Sequence, residues 1–214
     1  MKQIMPKVFA WMFIGLLITF GTAFFISNYE FAAQKLVNGT SLIICVVAEI
    51  ALVIFLSLRI GKMSPTAARV CFLLYSIVSG ITFSFVFLRY ELTSVVYVFL
   101  LTSVLFGMFA FIGMFTKIDL TKIGSYLFIG LIGVILCFIL NMFIRSSQLD
   151  FIISIITVLV FVGLTAYDVQ KINKMYDENA LPTENLAIYG ALQLYLDFIN
   201  IFIELLKIFG NSRD

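Results

Sequence analysis

The sequence predicts an all-α membrane protein: seven transmembrane helices forming a single domain, residues 1–214. Three observations carry that prediction. The chain is 62% hydrophobic and 12% charged, with a mean hydropathy of +1.11, whereas a soluble domain is about 45–50% apolar and about 25% charged. Its apolar residues gather into seven runs, each close to the ~20 residues that a spanning helix needs. The polar stretches between those runs are short, so consecutive helices should be antiparallel neighbours in one bundle. A chain of 214 residues then has no room for a sizeable domain outside the bilayer.

The first span is expected over 7–27, and no small-residue cleavage site follows it, so it reads as a retained helix rather than a signal peptide. The second, over 41–60, carries Glu49 and ends on Arg59. Gly61-Lys62-Met63-Ser64-Pro65 breaks the chain before the third, over 66–88. Ser76, Gly80 and Ser84 recur there at every fourth position, a stripe of small residues that lets two helices approach closely. Arg89-Tyr90-Glu91 precedes the fourth span, over 92–115, and Lys117-Ile118-Asp119 precedes the fifth, over 124–145. Gly130 and Gly133 are expected to act like the stripe of the third. The sixth span, 151–175, contains Asp168, and the seventh, 185–209, contains Asp197. The seventh is the most polar, and a re-entrant segment is its alternative reading. No internal repeat of the kind that marks inverted-repeat transporters is visible.

Orientation follows from the lysines and arginines. Lys2, Lys7, Arg59, Lys62, Arg69, Lys117, Lys122, Lys171 and Lys174 fall on one side. Lys35, Arg89, Arg145, Lys207 and Arg213 fall on the other. Nine against five places the N-terminus in the cytoplasm and the C-terminus outside, as a multi-pass cell-membrane protein. Asn38-Gly39-Thr40 has the form of a glycosylation sequon on the outer side, which means nothing in a bacterium. A net charge of +2 suggests neither nucleic acid nor an acidic partner. With no histidine, the commonest metal ligand and the usual general base are missing. Cys45, Cys71 and Cys137 lie far apart in apolar runs and read as packing residues, not as a disulfide framework. The expected partner is the lipid bilayer, the expected state a monomer, and no tightly bound cofactor is foreseen.

The last segment carries the most chemistry. Gln193, Asp197, Asn200 and Glu204 stand at i, i+4, i+7 and i+11, one narrow polar face on an otherwise apolar helix. Such a stripe belongs inside a bundle, facing polar partners or water. Hydrogen-bond glue between helices would explain the two amides. It explains Asp197 and Glu204 less well, because a carboxylate at membrane depth is costly and amides would serve.

Asp168 and Asp197 flank Asp177-Glu178-Asn179-Ala180-Leu181-Pro182-Thr183-Glu184, and a hairpin folded there brings both to nearly the same depth. Depth counting puts Arg59 at that level too, an inner charged layer. Glu49 falls near Lys207 and Glu204, an outer one. Two carboxylates in contact cannot both ionise cheaply, so the inner pair should titrate as a unit around one shared proton. Desolvation favours keeping that proton and Arg59 opposes it. When both ionise, the oxygen-only site suits a hard cation such as Ca²⁺, with Asp168 and Asp197 as its candidate ligands.

The segments TAYDVQKINKMY (165–176), LYLDFINIFIELLKIFG (194–210) and TKIDLTKIGSYLFIGLIGVI (116–135) resemble the Bax-inhibitor family, and SGITFSFVF (79–87) is a weaker match. The short N-terminal tail is similar to that of a bacterial member, which implies a bacterial plasma membrane. The resemblance implies six helices around a central seventh, and a pH-sensitive Ca²⁺ leak governed by a di-aspartyl sensor. That role falls on Asp168 and Asp197, with Arg59 as the arginine partner and Glu49 with Lys207 as an outer contact. Glu204 departs from the family pattern. The leading expectation is therefore a passive, pH-gated channel with Ca²⁺ as the permeant ion. A proton-coupled Ca²⁺ or cation exchanger is the alternative. An intramembrane aspartyl protease is a further one, although Tyr195-Leu196-Asp197 lacks the Gly-x-Gly-Asp of such enzymes. An interaction protein modulating proteases or death regulators is the fourth reading, and the short loops hold no docking motif.

Overall fold

The computed structural model describes residues 3–29 and 39–213. Lys2 and Lys35 of the charge count, and Asn38 of the sequon, lie outside the described residues. Among the described residues seven α-helices follow one another: α1 Met5–Asn28, α2 Gly39–Arg59, α3 Pro65–Arg89, α4 Leu92–Phe115, α5 Thr121–Ile144, α6 Ser147–Asp177 and α7 Thr183–Phe209, with a short 3₁₀ turn Ile60–Lys62 after α2. All seven carry a stretch long and apolar enough to cross a membrane. Among the described residues the only sheet-like pairing is a single bridge, Tyr90 to Ser212.

Local chemistry explains the ends. Ser64 caps α3 by accepting from Ala67 N at 3.2 Å, with Pro65 at the first helical position where its missing N–H costs nothing. Ser146 accepts from Leu149 N at 3.3 Å and starts α6 a turn earlier than the apolar run suggests. Asn179 takes the left-handed conformation at φ 50, and Ala180 N reaches back to Met175 O at 3.0 Å, ending α6. Glu184 stands in the first turn of α7, which runs unbroken for 27 residues, long enough to span.

The fold comprises two compact units. The first holds residues 1–91, 174–195 and 212–214. Here α1 packs along α3, and α2 packs on α3. The small-residue stripe works as its spacing predicts: a side chain at Gly80 would stand 2.6 Å from Thr22 Cβ and 2.8 Å from Thr19 O. Lys7, Arg69 and Glu184 meet at one end, with Glu184 taking Lys7 Nζ at 2.7 Å and Arg69 Nη2 at 2.6 Å. Asn185 joins that end, donating to Ile60 O and Met63 O. At the other end Arg213 N donates to Arg89 O at 2.8 Å.

The second unit holds residues 92–173 and 196–211. Its close approaches are not at Gly130 or Gly133. Gly133 has open space around it and Gly130 only an ordinary contact with Val160. Gly133 faces outward and Gly130 is only half-buried, since α5 buries nothing but Gly124 and Asn141. The tight points are Gly113 of α4 against the Ala166 backbone, Gly124 of α5 against the Tyr167 ring, and Gly163 of α6 against Leu127. Phe198 on α7 packs edge-on against Phe99 and Phe106 of α4.

Candidate functional site

The segment from Thr165 to Lys171 is fixed almost residue by residue. Ala166 backs onto Gly113 and Tyr167 onto Gly124, so α4 and α5 both press on the turn of α6 that bears Asp168. Gln170 holds the α4–α5 connector: its Nε2 donates to Ile118 O at 2.8 Å, and its Oε1 accepts from Leu120 N at 2.8 Å. Lys171 Nζ lies 5.7 Å from the centre of the Tyr167 ring. With the two preceding residues wedged and Gln170 pinned, the backbone at Asp168 is closely held.

Asp168 is 7% exposed and Asp197 3%, which is too little water to solvate two full charges. They lie on the two helices that the α6–α7 hairpin joins, both inside the second unit. The Thr165 hydroxyl, one turn before Asp168 on α6, donates to Phe161 O at 2.8 Å. Asp197 Oδ2 has no hydrogen-bond partner among the described residues. Lys171 stands one turn beyond Asp168 on the same face of α6.

Lys171 and Thr165 are members of the site that sequence reasoning missed. The signal was available: they stand at +3 and −3 from Asp168, on the same face of one helix. Arg59 occupies the end of α2 in the first unit. It is exposed there and forms no ion pair among the described residues.

The polar face of α7 is divided. Gln193 falls in the first unit and is half-buried. Asn200 donates from Nδ2 to Leu196 O at 2.8 Å, on its own helix. Glu204 accepts from Lys207 Nζ at 2.8 Å, and its Oε2 is buried with no partner among the described residues. Glu49 and Lys207, expected as partners, each have another: Glu49 accepts from the Thr82 hydroxyl at 2.5 Å, and Lys207 has Glu204. Helical spacing accounts for this second choice, since three residues along a helix is a shorter reach than any interhelical one.

Among the described residues no group of three or more acidic or cysteine side chains could hold a metal ion. The pair offers two carboxylates and a hydroxyl, short of the six to eight oxygens that Ca²⁺ takes when held firmly.

Comparison with known proteins matches the whole chain. The family model described as inhibitor of apoptosis-promoting Bax1 covers residues 1–214. The chain is 41% identical over 218 residues to the inner membrane protein YbhL of Escherichia coli K12, covering 100% of this chain and 93% of that protein. It is 41% identical over 217 residues to a protein of Borreliella burgdorferi, covering 100% and 94%. A protein of Rickettsia prowazekii is 34% identical over 216 residues, covering 100% and 92%.

Proposed function

Because the chain belongs to the Bax-inhibitor family, we propose that it is a pH-sensitive calcium leak channel of the bacterial plasma membrane, gated by Asp168 and Asp197. The observation that carries this reading is the burial of two carboxyls, one on each of the last two spans, within one compact unit. With one proton between them the pair bears a single negative charge, which Lys171 balances. Loss of that proton leaves two negative charges against one positive. The carboxylates then repel each other and attract a hard cation. The repulsion acts between α6 and α7, so it loads the hairpin that joins them.

Gln193, Asn200 and Glu204 are assigned to the lining of the path along α7, and the N-terminus to the cytoplasm with the C-terminus outside. In this reading Ca²⁺ is cargo and the protein has no resident metal.

The test is Ca²⁺ flux against pH for the purified protein in liposomes, beside Asp168→Asn and Asp197→Asn. The reading expects a leak that changes with pH in the wild type and a flattened pH response in both variants. It is wrong if the variants keep the leak and its pH dependence. The same shared proton would serve a proton-coupled exchanger, for which flux should follow an imposed proton gradient with stoichiometric counter-transport. A channel would show no such coupling.

A further inference from the structure

The connector between α5 and α6 is a built turn. Asn141, buried on α5, clips Ser146 twice: its Oδ1 accepts from Ser146 N at 3.1 Å and its Nδ2 donates to Ser146 O at 3.2 Å. Arg145 N donates to Asn141 O at 2.7 Å. The clip holds Arg145 at φ 56 and ψ 37, the left-handed region where glycine or asparagine usually ends a helix. An arginine there is strained, and a strained residue at a defined place invites a functional reason.

That reason lies in what Arg145 lines. A cavity of about 330 Å³ opens at the turn, walled by Phe138 and Met142 of α5, Arg145 and Ser146 of the turn, and Ser147 and Asp150 of α6. Arg145 and Asp150 share the cavity without forming an ion pair. The nearby cation Lys207, 5.4 Å from the Phe138 ring centre, is already paired with Glu204. A turn that joins two spans sits at the level of lipid headgroups. Phe138 and Met142 are exposed apolar side chains just below it, where acyl chains begin.

Two opposite charges that line one cavity without closing on each other leave room for a molecule that carries both. We infer that this cavity binds the headgroup of a zwitterionic aminophospholipid. The phosphate lies at Arg145, the ammonium at Asp150, and the chains run along Phe138 and Met142. Asp150 disfavours an anionic glycerol headgroup, and a quaternary ammonium could not donate a hydrogen bond to it.

The experiment is native mass spectrometry of the full chain released from nanodiscs holding equal amounts of ethanolamine, choline and glycerol phospholipids with matched chains. The wild type should retain the ethanolamine lipid about fivefold over the glycerol lipid, the worth of one surface charge contact. Asp150→Asn should erase that preference. Arg145→Gly should lose the retained lipid while melting no lower than the wild type, since glycine suits the left-handed turn. Excess soluble glycerophosphoethanolamine should leave the lipid in place. No headgroup preference in the wild type, wild-type lipid retention by Arg145→Gly, or displacement by the soluble ester would each overturn the inference.

Discussion

The Tyr195 hydroxyl stands 2.7 Å from Thr19 Oγ1 and donates to Ser79 Oγ at 3.0 Å, on a side chain with no exposed surface. Its loss leaves two buried hydroxyls short of a partner, so Tyr195→Phe should cost about 1–2 kcal/mol. A fall in unfolding midpoint in mixed micelles would measure it, and no change would show that the two hydroxyls find other partners. Charge at the proposed gate is also a single-residue matter. Lys171→Gln removes a cation one helical turn from Asp168. Without it, ionising the pair is harder, so the pH midpoint of the leak should move upward. Arg59→Gln should leave that midpoint in place, because Arg59 is exposed and unpaired among the described residues. A midpoint that followed Arg59 and ignored Lys171 would reverse the assignment of the balancing cation.

Helices in a bilayer gain little from the hydrophobic effect on meeting one another, so close backbone approach decides which of them stay together. At Gly113 a Cβ would overlap the Ala166 backbone, two residues before Asp168. Gly113→Val should therefore push α4 off α6, cost about 1–3 kcal/mol and disturb the pH response with it. At Gly133 a Cβ meets nothing, so Gly133→Ala should be neutral or stabilise by up to about 1 kcal/mol. A thermal-shift comparison of the two variants tests both statements. The clamp of Lys7 and Arg69 on Glu184 ties the start of α7 to the starts of α1 and α3. It is half-exposed, so Glu184→Gln should cost less than about 1 kcal/mol and matter less at high salt. Of these elements the Ser76–Gly80–Ser84 stripe was legible in the sequence, because its spacing matches the helical repeat. Gly113 and Gly124 were not. Nothing in a lone glycine says whether a neighbouring helix or lipid lies beside it, which is also why Gly133 was misread.

An odd number of spans would put the two ends of the chain on opposite sides of the membrane. In the first unit Lys7 meets Arg69 and Glu184 at one end, and Arg213 meets Arg89 at the other. The excess of Lys and Arg predicts that the Lys7 end is cytoplasmic. A phosphatase fused after Asp214 should then be active and a fluorescent protein there dark. The reverse pattern would invert the topology.

Composition and apolar run length alone determined that this chain crosses a membrane, and how often, because the bilayer sets the length of every spanning helix. The same reading placed Asp168 and Asp197 at one depth, since a hairpin of two helices is symmetric about its turn. Only the tertiary structure decided which charges keep company. It set Lys171 and Thr165 beside the aspartates, gave Lys207 to Glu204 and Glu49 to Thr82, and left Arg145 and Asp150 facing an open cavity. Depth along the membrane normal is written in residue count. Rotation about each helix axis, which selects the neighbour a side chain meets, is fixed by how the helices pack.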